Sequence, residues 1–423
     1  MATSRTARPR RRRVRYGLFT KDPGPLPKTL LFNLGIILVF GLIMLFSASY
    51  TTAYLKFGDS YYYIREQLVY AVAGIGVLWA ASRVDYHWLR QWTNIGYVFC
   101  LILLALVLTC EPINGCRRWL HWNTGALKYL PSIQVSEIVK FEMVLMTANI
   151  LCIYRSKRRT LKYGILLPLL PLIPVVPLML KEPHLSGTVI ICAIVGTIMV
   201  LGGSGGAWIP ILGGGAAAVV VIGFGFMSDV FTKLISYVGD RLEGWSWDLD
   251  KMPWQTKQSL YAIGSGGTFG VGLGNSMEKQ LWLPECINDF IFSVICEELG
   301  FVGALAVIVL FVVLVGQCFY VAFEAADLYG SLIALGVTAQ IGWQVFFNIG
   351  VVTNALPNTG ISLPFFSSGG TRLLMLLGEM GVLCSVARAG AKAKAEAAAA
   401  AEAAAEEGET AAAPPRTAAG RPG

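Results

Sequence analysis

Repeated apolar runs, each about as long as a bilayer is thick, constrain this chain more than any other feature. They fall near residues 30 to 48, 67 to 82, 94 to 110, 138 to 153, 163 to 180, 185 to 202, 207 to 227, 289 to 320, 329 to 351 and 371 to 388. A helix needs about 20 apolar residues to cross a hydrocarbon core of about 30 Å. Inside lipid every backbone group must be bonded within its own segment, which favours helices. The expected fold is therefore an all-α polytopic membrane protein with about ten transmembrane helices and a large extracytoplasmic loop between the seventh and eighth. The eighth run is long enough for a span plus a tilted or broken extension.

Of the 423 residues 55% are apolar and 14% charged, and 19 of the charged side chains lie in the first 28 or last 33 residues. A soluble enzyme of this size could not cover its surface with the rest. The net charge of +8 does not indicate nucleic acid, because nine Lys and Arg lie between Met1 and Lys28, just before the first run. There they read as an anchor on anionic lipid. The run Leu30 to Phe46 exceeds a signal-peptide core and is followed by others like it, so it is expected to remain as the first helix.

Ten spans put both termini on one side, and a basic inner N-terminus makes that side cytoplasmic. Arg83, Arg90, Arg155 to Lys162, Arg388, Lys392 and Lys394 then fall on inner ends, as the positive-inside rule asks. Segments 111–133, 228–288 and 353–371 go outside, where polar chemistry is expected. The expected organisation is a basic arm (1–28), a transmembrane domain (29–390) with an outer loop near 228–288, and an Ala/Glu-rich tail (391–423). Helix is compatible with 391–407, and disorder is expected from Gly408.

Nine cysteines include no CxxC pair, and Cys100, Cys152, Cys192, Cys296, Cys318 and Cys384 sit in apolar runs as small hydrophobes. Cys110 and Cys116 flank an outer loop and could pair. His87, His121 and His184 share no ligand spacing, so a metal cluster or a Ser-His-Asp triad has little support. The glycine cluster from Gly264 to Gly274 fits neither phosphate-loop nor dinucleotide spacing. It permits either close backbone approach or contact with a ligand phosphate.

Ionisable groups beside spans are costly, and that makes them functional candidates. Asp289 stands where the large loop enters the eighth span, as a helix cap or as a reacting carboxylate. Glu137, Lys140 and Glu142 stand in the outer half of the fourth span, after Arg117 and Arg118. They form either an internal ion-pair network or a cationic pocket for a pyrophosphate.

The stretches Asn114-Gly-Cys-Arg-Arg118-Trp119, Gln134-Val-Ser136-Glu137-Ile-Val-Lys140, Gln258 through Gly267, Gly272-Leu-Gly274-Asn-Ser276, Pro284-Glu285 through Asp289-Phe-Ile-Phe, Glu297-Glu298-Leu-Gly300 and Leu363-Pro364-Phe-Phe-Ser-Ser-Gly369-Gly370 resemble the shape, elongation, division and sporulation (SEDS) family of bacterial membrane glycosyltransferases, over about Asn33 to Val386. The loop from Leu356 to Phe365 is closer to its FtsW and SpoVE branch than to RodA. The resemblance implies an inverting peptidoglycan glycosyltransferase of the bacterial cell membrane that polymerises lipid II into glycan at the outer face, in division or sporulation. Asp289 falls on the catalytic base. Arg118, Lys140 and Lys279 fall on substrate-phosphate contacts. Glu137, Glu298, Ser368 and Gly369 complete the implied substrate-binding set, with Glu137 and Glu298 holding the cavity through ion pairs or hydrogen bonds. The implied partners are lipid II, the nascent strand, a class B penicillin-binding protein and other divisome or sporulation membrane proteins. A divalent cation, Mg or Mn, at the pyrophosphate is the one cofactor this chemistry suggests.

The chain departs from the family pattern at Val135, at Ile287-Asn288, at His184, where an acid is common, and at Arg372, which places a cation against either a phosphate or a lipid head group. Two other readings are a lipid II flippase, suited by Gln340, Gln344 and Asn348 inside a span, and a noncatalytic division scaffold. A flippase needs polar groups across both leaflets.

Overall fold

The computed structural model describes residues 18–19, 24–111, 117–120, 132–182, 184–204, 239, 245–248 and 250–412. Its helices are α1 (Lys28–Phe57), α2 (Tyr62–Ala81), α3 (Tyr86–Val107), α4 (Val135–Ile153), α5 (Leu167–Leu169), α6 (Leu172–Lys181), α7 (Leu185–Leu201), α8 (Trp254–Ser265), α9 (Ile291–Phe323), α10 (Leu328–Val352) and α11 (Gly370–Ala412). Among the described residues seven helical segments, including Leu161–Lys181 as one, are long and apolar enough to cross a membrane. Shorter α7, and α4 with its three charges, complete nine of the ten expected runs. The seventh run, 207–227, lies outside the described residues, as do Cys116 and hence any pairing with Cys110.

The helices start and stop where their sequences dictate. Asp85 caps α3 by accepting from the His87 N–H, and Asp327 caps α10 by accepting from the Tyr329 and Gly330 N–H groups. Gly58 ends α1 in the left-handed region, at φ 71°. Prolines 168, 171, 174 and 177 account for the irregular course of Leu161–Lys181, which opens as a π turn. The main core joins α1, α9, α10 and α11, and a second cluster lies among α3, α4, α6 and α7. Phe32, Val39, Val69, Val72, Ile102, Val309, Val312 and Phe323 are exposed on the outside of the bundle, as a lipid-facing surface requires.

Three expectations are modified. Two short strands, β1 (Trp119–Leu120) and β2 (Ile133–Gln134), pair antiparallel and carry the outer loop onto the start of α4. Cys192 is exposed on α7, unlike Cys100, Cys296, Cys318 and Cys384, because its position faces out of the bundle. The last span continues without a break as α11 to Ala412, beyond Gly408.

The large outer loop meets the eighth run at a break, one of the two forms its length allowed. The helical run of α9 is interrupted at Gly300, at φ 67° and ψ −165°. The glycine-rich segment after α8 packs into that break. Val271 and Gly272 N–H groups donate to the Glu297 and Glu298 carbonyls at 2.9 and 3.0 Å, and Phe301 and Val302 N–H groups donate to Gly267 and Thr268 at 2.9 and 3.2 Å. A Cβ on Gly270 would sit 2.1 Å from the Glu298 carbonyl oxygen. The cluster therefore serves close backbone approach, and the loop supplies the bonds that the broken helix loses.

Candidate functional site

A cleft opens at the outer ends of α4, α7, α10 and α11, lined by Gln134, Glu137, Lys140, His184, Gln344, Ser362 and Arg372, with Gly360 and Ile361 at its wall. Glu137 and Lys140 are one turn apart on α4 and meet at 2.6 Å. Arg372 enters from the first turn of α11, with Nε 3.7 Å from Glu137 Oε1 and Nη2 donating to Gln134 Oε1 at 3.1 Å. Its Nη1 is buried with no hydrogen-bond partner. A buried guanidinium donor left open in this way is suited to an anionic oxygen. Arg372 thus faces the cleft and not the lipid head groups.

Asp289 stands at the cleft edge, just before α9, on a braced segment. Asn348 on α10 donates its amide to the Asp289 carbonyl at 2.7 Å and to the Ile361 carbonyl at 2.6 Å. Ser362 donates to Asp289 Oδ1 at 3.0 Å. A Cβ on Gly360 would come within 3.1 Å of Asp289 Oδ2, so glycine leaves that oxygen room. Burial pushes the Asp289 carboxyl above its usual range, against the pull of Arg372, the Ser362 hydrogen bond and Arg118, with Glu285 adding to the rise. A carboxylate with raised affinity for a proton, beside cations, is what a general base for a hydroxyl needs.

Arg118 precedes β1 and lies within electrostatic reach of Asp289, Glu182 and His184. Ser368 and Gly369 brace the site through their backbones: the Ser368 N–H donates to the Ile287 carbonyl at 2.9 Å, and the Gly369 N–H to Gln67 Oε1 at 3.3 Å. Sequence reasoning passed over Gln134, Ser362 and Glu182. Ser362 lay in a loop already marked as outer, and only tertiary packing reveals what it holds.

Three expected members lie elsewhere. Glu142 sits two residues beyond Lys140, on the far side of α4, against Gly96 of α3. Arg117 donates to the Leu108 carbonyl at 2.9 Å, away from the cleft. Lys279 has no exposed side chain: its ammonium meets Glu298 Oε1 at 2.6 Å, inside a pocket closed by Ser47 and the Tyr50 ring. The Lys279–Glu298 pair fastens the loop to α1 and α9, and its burial keeps it from the phosphate contact expected for Lys279. Breaking such a pair from one side costs about 3–5 kcal/mol, while an apolar replacement of both sides is close to neutral. Lys279→Met is expected to lower the unfolding temperature strongly, and Lys279→Met with Glu298→Leu to recover most of it. A single variant with native stability and no activity would return Lys279 to the phosphate.

Among the described residues no group of three or more His, Cys, Asp or Glu side chains is placed to hold a metal ion. The described residues do not form a built metal centre.

Residues 28–392 match the family described as Cell cycle protein, FtsW/RodA/SpoVE. The chain is 37% identical over 363 residues to Stage V sporulation protein E of Bacillus subtilis, covering 84% of this chain and 94% of that protein. It is 35% identical over 364 residues to a probable peptidoglycan glycosyltransferase FtsW of Coxiella burnetii, covering 83% and 93%. Its fold matches a chain of a solved peptidoglycan synthase complex that coordinates polymerization and crosslinking, with TM-score 0.69 and 25% identity over 86% of this chain and 98% of that one. It also matches the crystal structure of RodA from Thermus thermophilus, with TM-score 0.60 and 25% identity over 86% and 97%.

Proposed function

The chain belongs to the FtsW/RodA/SpoVE family of cell cycle proteins, and from that membership we propose that it is a peptidoglycan glycosyltransferase that polymerises lipid II at the outer face of the bacterial cell membrane. The observation that carries this reading is a cleft that holds the open guanidinium donor of Arg372 and the ammonium of Lys140, with the carboxylate of Asp289 at its edge in the field of Arg372.

Polymerisation forms a bond from an acceptor sugar hydroxyl to the anomeric carbon of a second lipid-linked sugar and breaks that carbon's bond to pyrophosphate. Asp289 takes the hydroxyl proton as the new bond forms, with inversion. Arg372, Lys140 and Arg118 take up the charge that develops on the departing pyrophosphate. Asn348 and Ser362 fix the base, and position is worth as much as basicity in such a step.

The course of the polar groups favours a transferase over a flippase. On α10, Asn348, Gln344 and Gln340 follow one face inward from Asp289, and Gln340 donates to Glu379 at 2.8 Å. One turn further in, a Cβ on Gly336 would strike Val144 at 2.3 Å and Ile198 at 2.9 Å, so the lining there is apolar and closed. The inner-end positions of Lys and Arg favour cytoplasmic termini. Likeness to a chain of a synthase complex supports a class B penicillin-binding protein as partner.

The test is extension of fluorescent lipid II by the purified full chain, alone and with its class B partner, resolved on a gel. Glycan ladders are expected. Transport of lipid II across vesicle membranes with no ladder in either condition would replace this reading with the flippase.

A further inference from the structure

His184 is a titratable side chain of the cleft to which the reaction above gives no part, and unlike Glu137 it is not held in an ion pair with Lys140. It precedes α7, is 6% exposed, and lines the same cleft as Lys140, Ser362 and Arg372. Its two ring nitrogens face hydroxyls: Nε2 lies 3.2 Å from Ser136 Oγ on α4, and Nδ1 lies 3.5 Å from Ser186 Oγ on α7. A hydroxyl can donate or accept. Both nitrogens can therefore carry a proton after a rotation of the serine hydrogens, with no heavy atom displaced.

The charges around the ring decide its state. Lys140 and Glu137 share the cleft with it from α4 and Arg372 from α11, Arg118 acts on it from the segment before β1, and Glu182 and Asp289 lie in the field of the same Arg118. Burial, then the fields of Arg118, Lys140 and Arg372, hold the imidazole well below its usual value, so in the empty cleft it is neutral. Burial also pushes Glu182 up to about 8 against the pull of Arg118, so that carboxyl is largely uncharged at neutral pH.

We propose that His184 takes up a proton from solvent when a pyrophosphate enters the cleft, so that binding of the lipid-linked substrate and of the pyrophosphate product is coupled to protonation of the imidazole. The proposal rests on the polymerase reading for the ligand. A pyrophosphate brings at least two negative charges against the cations that suppress the imidazolium, and the new imidazolium adds a positive charge to the cleft while its two N–H groups stay on the serine hydroxyls. The sign is fixed by linkage: a ring that binds its proton more tightly in the complex strengthens binding as pH falls, and the gain is lost as pH rises through the bound-state value.

The experiment uses the full chain in lipid nanodiscs and farnesyl pyrophosphate as probe, with calorimetry in two buffers of different ionisation enthalpy and affinities from pH 5.5 to 8. Wild type is expected to take up as much as about one proton more per bound probe than His184→Gln, and its affinity to fall by as much as about tenfold more per pH unit. Comparison with the variant cancels the ionisation of the probe, of Glu182 and of Asp289. Equal pH slopes in the two proteins would overturn the proposal, even if the variant bound more weakly. So would wild type that polymerises lipid II yet binds the probe without proton uptake, a result that leaves the polymerase reading standing. Wild type that neither polymerises nor binds would overturn both.

Discussion

Replacing Asp289 by Ala or Asn is expected to stop glycan extension while the protein stays folded and keeps its affinity for lipid II. A positioned general base contributes roughly 10²–10⁴ in rate, which is about 3–5.5 kcal/mol of transition-state free energy at 1.36 kcal/mol per tenfold. The carbonyl of Asp289 is occupied by Asn348, and its carboxyl is the group held toward Ser362 at the cleft wall. Folding should not suffer. A carboxyl whose proton affinity rises on folding opposes stability at every pH above its unfolded value, so a neutral replacement removes a penalty. Asn also retains an oxygen for the Ser362 hydroxyl. The same rise sets the pH profile of wild type: kcat/KM should climb through the elevated carboxyl value and level off, and the climb should vanish with the base. A folded Asp289→Ala protein that made glycan ladders at the wild-type rate would sink the assignment of the base, and one that bound lipid II as before would locate the loss in the chemical step.

The parts of this protein that were legible in the sequence are those set by one segment at a time. Apolar runs of membrane length need no partner to be recognised, and nine of them became helices among the described residues. Glu137 and Lys140 stand one turn apart and could be paired on paper. The helical period also separates Glu142 from them, and that reading was available but unused. What stayed hidden depends on pairs far apart in the chain. Nothing near Lys279 announces Ser47 and Tyr50, which close its pocket from α1. Arg372 could have faced lipid or protein until the packing of α11 placed it over Gln134. The glycine cluster carried two meanings because its partner, Gly300, lies in another helix.

Gly300→Ala is accordingly expected to be among the most damaging single-methyl changes in the chain. Gly300 occupies a region of backbone space that is nearly closed to other residues, and a side chain there costs roughly 1–3 kcal/mol before any contact is counted. The added Cβ would lie 2.3 Å from the Gly270 nitrogen and 2.6 Å from the Phe269 nitrogen, both backbone atoms that cannot swing aside. Relief requires the loop to withdraw, and withdrawal breaks the four backbone hydrogen bonds that join 267–272 to 297–302. A buried polar group left unpaired costs about 1–3 kcal/mol, so the total exceeds the 4–5 kcal/mol that marks an exceptional mutation. The damage would spread, because Glu298 holds Lys279 from the same turn and Asp289 lies between the loop and the break. Gly264→Ala is the matched control: its Cβ would meet nothing within 4 Å inside α8, and its unfolding temperature should equal or slightly exceed wild type. Thermal unfolding in detergent separates the two, with Gly300→Ala expected to yield little folded protein and no glycan. A Gly300→Ala protein as stable as the Gly264→Ala control would mean that the loop does not cross the broken helix in the membrane.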